Sequence, residues 1–167
     1  RRVGSLRSIR EKEPVTQSPS SDALVLTGRD LTVADVASVA REGRRVTLAA
    51  EAAARMRASR AVIERLVADG ATIYGVTTGF GDLADVRIEP GRVAELQRNL
   101  VRSHTAGVGQ PLPAEVVRAM LLLRANALAV GLSGVRPGLA ELLLGMLNAR
   151  IHPVVPSRGS VGASGDL

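Results

Sequence analysis

Residues 113–130 read PAEVVRAMLLLRANALAV, and the fold class turns on what this run can form. Pro113 suits the first turn of a helix, where its missing N–H would have no intrahelical partner in any case. Val117, Leu121 and Leu128 then recur at helical spacing, with other apolar residues between them, so the helix is apolar nearly all round. Such a helix belongs inside a larger helical body. Arg124 and Asn126 within it need partners there, because burying them unpaired would cost several kcal/mol. A buried polar pair that fixes helix packing is the plain reading of both. Residues 120–132 make the best candidate for a membrane span, but they fall short of the roughly 20 apolar residues required and are interrupted by Arg124 and Asn126. No span is expected.

Helical patterns extend to both sides. Pro137 opens a further helix through Leu143 and Leu147, and Pro90 another whose Val93, Leu96, Leu100 and His104 share one face. Nearer the start, Thr32 followed three residues later by Asp35 has the sense of a capping box, and Val33, Val36, Ala37 and Ala40 follow before Gly43. Residues 46–48 read as a short extended piece. Thr47 is placed to cap the alanine-rich run that continues through Ile63 and Leu66 to Asp69 and Gly70. Residues 1–21 lack the apolar centre of a secretory signal and are expected to be a disordered leader.

Composition narrows the function classes. The 167 residues are 46% hydrophobic yet contain no Trp and one each of Tyr and Phe, so the core must be built from Ala, Val and Leu. That argues against aromatic-rich sandwiches and barrels, and against readers of single-stranded nucleic acid, whose bases stack on aromatic side chains. Cys is absent, which removes disulfides, thiol catalysis and thiolate metal sites, and two His, His104 and His152, are too few for a His-only metal site. The net charge of +6 is concentrated in residues 1–60, with 12 basic and 7 acidic side chains, whereas residues 61–167 carry 10 and 9. Most of the chain has no electrostatic reason to seek phosphates, and no nucleic-acid partner is expected.

Two glycine-rich segments do not fit a plain bundle. Residues 73–82, IYGVTTGFGD, hold the single Tyr and Phe among three glycines. They lack Gly-x-Gly-x-x-Gly and a Lys-Ser/Thr pair, which sets aside a phosphate cradle. A structural loop with a packed Tyr74 and a site loop presenting its phenol both remain open. Residues 156–167, PSRGSVGASGDL, resemble a nucleophile elbow only loosely, since Asp166 stands where the last glycine should and no His follows. A linker is the alternative, but the apolar residues 151–156 leading into it read as buried. The missing initial Met and the end just past this run are expected of a piece of a longer protein.

YGVTTGFG at 74–81, NLVRSH at 99–104, residues 123–136 and the run from Val154 through GSVGASGDL at 159–167 together closely resemble the aromatic amino acid ammonia-lyases, in order, over residues 22–167. The resemblance implies a mainly α fold: the N-terminal part of a larger helix-bundle lyase with short strands and glycine-rich active-site loops, cut off at its C-terminal end. It implies that Ala163, Ser164 and Gly165 form a methylidene-imidazolone electrophile, with no external cofactor and no metal. In that chemistry the Gly165 nitrogen attacks the Ala163 carbonyl, two waters leave and Ser164 becomes a dehydroalanine. Gly and Ala allow so tight a turn, and Ser supplies the departing hydroxyl.

By the same resemblance Tyr74 is the general base at the substrate's β carbon, a role that needs a phenol pKa below its ordinary value of about 10. His104 meets the substrate ring. The pair Ser103-His104 is similar to the members that act on histidine, whereas the tyrosine enzymes usually carry His-Leu there. The expected reaction is ammonia elimination from histidine to give urocanate, by a cytoplasmic homotetramer whose partner is a small amino acid. Tyrosine or phenylalanine lyases and aminomutases of the same family are the alternatives, with a noncatalytic helical scaffold as the reading from another class. The residues that grip the substrate carboxylate fall beyond Leu167.

Overall fold

The structure, a computed structural model, describes residues 23–79, 81, 86 and 88–159. The expected leader, residues 1–21, and the tripeptide Ala163, Ser164 and Gly165 lie outside the described residues. Along the chain come β1 (Leu24–Leu26), α1 (Val33–Ala37), β2 (Val46–Leu48), α2 (Ala50–Ala68), α3 (Val93–His104), β3 (Val108–Pro111), α4 (Ala114–Ala129), α5 (Pro137–Asn148) and β4 (Pro156–Arg158). The mainly α architecture with short strands is the one expected. β1 and β2 pair in parallel, with Leu24 opposite Val46 and Leu26 opposite Leu48, while β3 and β4 pair antiparallel. A parallel pair needs a crossover, and α1 with its π-helical continuation Ser38–Glu42 provides it.

The capping box read from the sequence is present. Thr32 Oγ1 accepts the Asp35 N–H and Asp35 Oδ2 accepts the Thr32 N–H, both at 3.2 Å. These bonds to Thr32, helped by Arg44, hold the Asp35 carboxyl below the usual carboxylate range. Gly43 closes the π-turn in the left-handed region, at φ 77°. The expected cap of α2 is corrected. Thr47 is committed to β2, opposite Val25, and Ala49 takes the cap position with no side-chain bond. The Ala49 N–H donates instead to Leu26 O at 3.0 Å, so strand pairing serves the helix entry that a hydroxyl would have served.

The core lies where α4 and α5 meet the β1–β2 pair. Leu26, Val46, Ala52, Leu122, Ala125 and Leu147 are buried there, joined by Val39 of the π-turn, and Met56, Leu128 and Ala140 extend the packing toward α2. Small side chains allow backbones to approach closely: a Cβ on Gly28, at φ 86°, would sit 2.6 Å from the Ala129 carbonyl carbon. α4 buries Val117, Leu122, Ala125 and Leu128 but leaves Val116, Met120 and Leu123 partly outward, Leu123 half-exposed.

Two expectations about α4 and its surroundings change. Arg124 is exposed, and Asn126 keeps a buried Oδ1 with no hydrogen-bond partner among the described residues, so the two do not form a buried polar pair. The inward stripe runs 118, 122, 125, 129, which rotates position 124 to the outside and brings Arg118 in. Residues 151–156 are not buried as a run: Ile151 and Val154 are exposed, and the segment is held through its backbone, with Leu112 N–H donating to Val155 O at 2.8 Å. Among the described residues no helix is long and apolar enough to cross a membrane.

Arg118 is only 6% exposed. Its Nε donates to Val39 O and Ala40 O at 3.2 and 3.1 Å, its Nη2 to Val39 O at 2.6 Å and its Nη1 to Leu147 O at 3.1 Å. These carbonyls belong to the π-turn and to the last turn of α5, where intrahelical donors run out and the helix dipole is negative. Arg55 of α2 serves the end of α4 in the same way, through Ala129 O at 3.1 Å and Val130 O at 3.3 Å, and also reaches Thr27 O at 2.5 Å. Replacing Arg118 with Met would take their side-chain donor from the Val39 and Ala40 carbonyls, while Leu147 O keeps the Arg150 N–H, so chemical denaturation should show a loss of at least about 2 kcal/mol. Arg118→Lys should restore little of it, because one ammonium cannot span the fork.

Candidate active site

Tyr74 sits in the turn after α2, and threonines, not glycines, hold that turn in place. Thr77 Oγ1 accepts the Ile73 N–H at 2.8 Å and donates to Ala71 O at 2.9 Å. Val76 N–H and Thr77 N–H both return to Ile73 O, at 3.1 and 3.0 Å. Thr78 is fully buried; its Oγ1 accepts the Gly75 N–H at 3.2 Å and donates to Gly79 O at 3.0 Å. The strand-like return is fixed by Gly79 N–H to Val86 O and Ile88 N–H to Thr77 O, at 3.2 and 2.9 Å. Gly75 takes φ 70°, which lets the chain reverse directly after the tyrosine.

In this setting the Tyr74 side chain is 62% exposed, and its hydroxyl accepts a long 3.5 Å bond from the Gly81 N–H. Of the two readings the sequence left open, the packed tyrosine does not match this exposure. Thr77 and Thr78 were not singled out from the sequence as site residues. Their signal was a pair of hydroxyls between glycines, a composition in which side chains replace the backbone bonds of regular structure.

His104 is the last residue of α3. Its Nδ1 lies 2.9 Å from Leu100 O, one turn back, and 2.9 Å from Ser103 Oγ, which itself donates to Leu100 O at 2.9 Å. A carbonyl oxygen only accepts, so Nδ1 must carry the proton that points at it, and in the neutral ring Nε2 is then an acceptor. The expected apolar face of α3 is only half-covered, with Leu96 and Leu100 partly buried and His104 exposed. A cavity of about 360 Å³ lies between α3 and the segment that returns from the tyrosine turn, lined by Ile88, Glu89, Arg92, Leu96 and Asn99 among others. Neither Tyr74 nor His104 lines it. The structure therefore places two of the expected site residues on separate, locally well-anchored elements, while Ala163, Ser164 and Gly165 are outside the described residues.

The family of aromatic amino acid lyases matches residues 31–167. Among curated relatives, the histidine ammonia-lyase of Geobacillus thermodenitrificans (strain NG80-2) is 56% identical over 144 residues, covering 86% of this chain and 29% of the relative. That of Bacillus subtilis (strain 168) is 54% identical over 144 residues, covering 86% and 28%. The chain thus spans under a third of the length of these relatives. Among solved structures, histidine ammonia-lyase from Trypanosoma cruzi superposes with a TM-score of 0.75 at 40% identity, covering 83% of this chain and 26% of the other. Tyrosine aminomutase from Streptomyces globisporus gives 0.78 at 40%, with the same coverage of 83% and 26%.

The hydroxyl of Thr77 can be removed at nearly constant volume. Thr77→Val should speed hydrogen exchange at the Ile73 amide and its neighbours by about 10-fold, the loss of roughly one buried hydrogen bond, while amides of α4 and α5 keep their protection.

Proposed function

The chain belongs to the aromatic amino acid lyase family, and from that premise we propose that it is the N-terminal part of a lyase that eliminates ammonia from L-histidine to give trans-urocanate. The observation that carries the substrate choice is the imidazole of His104. With Nδ1–H given to Leu100 O, Nε2 is an acceptor, and the imidazole N–H of histidine is a matching donor. A phenyl ring offers no donor and would leave that nitrogen desolvated and unpaired, a penalty of about 1–3 kcal/mol. The identity of 56% to a histidine ammonia-lyase supports the same choice.

In this reading Ala163, Ser164 and Gly165 form the methylidene-imidazolone group, with no external cofactor. When formed, it supplies an electron-poor centre that makes the substrate's amino group a better leaving group. Tyr74 takes the proton from the β carbon, and its exposure on a turn fastened by Thr77 and Thr78 suits a phenol that must meet a ligand while its backbone stays fixed. Residues 1–21 are a leader, residues 22–167 the first part of the catalytic body, and the assembled enzyme is a cytoplasmic homotetramer. The partly outward apolar side of α4, at Val116, Met120 and Leu123, supports packing against more protein.

A second reading has its own support. A tyrosine hydroxyl is also a donor and would satisfy Nε2 of His104, and a tyrosine aminomutase is 40% identical over most of this chain. Turnover of the full-length protein on histidine, tyrosine and phenylalanine, followed by the ultraviolet absorbance of each unsaturated product, separates the two. Histidine should be the best substrate, and His104→Leu should narrow its preference over phenylalanine by about 10- to 100-fold. Tyr74→Phe should cut turnover on histidine at least about 100-fold with little change in the unfolding midpoint. Tyrosine as the best substrate, or β-amino acid as the product, would overturn the histidine lyase reading.

A further inference from the structure

α5 ends in a Schellman motif. Ile151 N–H donates to Met146 O at 2.9 Å and Arg150 N–H to Leu147 O at 3.2 Å, which makes Arg150 the residue that turns left-handed, at φ 56°. It is the one non-glycine with positive φ among the described residues. Glycine serves this position best, since any Cβ is strained there, so the presence of arginine calls for a role of its head group. That head group reaches across to the other left-handed cap. A Cβ on Gly43, which closes the π-turn, would lie 3.0 Å from Arg150 Nη2. The missing side chain of one cap leaves room for the guanidinium of the other.

Around this point a cavity of about 130 Å³ is lined by Ala40, Arg41, Gly43, Arg118, Arg150 and His152. At about 30 Å³ for each water in the liquid, the space holds several waters or one tetrahedral ion. Three arginines line it, and among the described residues only Arg41 of these has a carboxylate, Glu115 at 3.2 Å. Arg118 is bonded to neutral carbonyls, and Arg150 has no ion pair among the described residues. His152 adds no counter-charge, since an imidazole carries no negative charge here, and its Nε2 lies 3.2 Å from Arg118 Nη1. Burial, and after it the charge of Arg150, push the Arg118 pKa down from the ordinary guanidinium value.

We propose that this cavity is a binding site for a small tetrahedral oxyanion of the phosphate class, held by Arg150 and Arg41 with Arg118 behind them. The charge balance favours phosphate, since a dianion offsets the two guanidinium groups that have no carboxylate. Arginine forks match its oxygens in pairs. None of the residues assigned above to the lyase reaction lines the cavity, so the site is independent of that reading.

The test uses Arg150→Gly, because glycine is the better residue for the left-handed turn and the variant is expected to fold at least as well. Thermal unfolding of the intact protein is followed in sodium chloride and in inorganic phosphate at matched ionic strength. The native protein should show a midpoint that rises with phosphate and saturates, as binding to the folded state requires. Arg150→Gly should equal or exceed the native midpoint in chloride and lose the saturable rise, keeping only the shallow, non-saturating increase that phosphate gives any protein. The proposal is overturned by an identical phosphate response in both proteins, by no saturable response in the native one, or by a lower midpoint of the variant in chloride. The last outcome would make Arg150 a structural residue.

Discussion

The structure depends on a single buried guanidinium. Arg118 rises from the inward stripe of α4 and ties together the π-turn that follows α1 and the end of α5, three pieces of chain with no covalent reason to meet. A core of Ala, Val and Leu is smooth, and small side chains define the rotation and depth of helices less sharply than aromatic rings do. The directional bonds of Arg118, and of Arg55 at the end of α4, supply the geometry that packing alone leaves loose. Burying such a charge is tolerable because it lies where helix ends present carbonyls in excess.

From that clamp outward the chain becomes progressively more dependent on local bonds. α4 and α5 stand on the β1–β2 pair, whereas the glycine turn carrying Tyr74 is neither helix nor strand. Its order comes from two threonine hydroxyls that substitute for a missing strand or helix ladder. His104 is likewise bonded to its own helix, through a carbonyl one turn back. Backbone bonds thus hold both the turn that carries Tyr74 and the helix end that carries His104.

What could be read in the sequence follows the same division between local and non-local causes. The Thr32–Asp35 box involves four consecutive residues and needed no tertiary information. The failure at Thr47 had a distant origin, since β1 had to pair with β2 across the crossover before Thr47 was taken up by a strand. Arg118 was passed over in favour of Arg124 because an all-round apolar helix gives no sign of which side faces inward, and that rotation is set by α5 and the π-turn. Tyr74 and the Ser103-His104 pair stood out by composition and by their resemblance to a family. The hydroxyls of Thr77 and Thr78 did not, because their partners are backbone groups that a sequence does not display.

The central claim is that this chain carries the precursor of its own electrophile. Mass analysis of a proteolytic peptide spanning residues 153–167, taken from the active full-length protein, addresses it directly. Cyclisation and dehydration at Ala163, Ser164 and Gly165 would make that peptide lighter than its sequence by two water molecules. A peptide of unmodified mass from protein that turns over histidine would contradict the account.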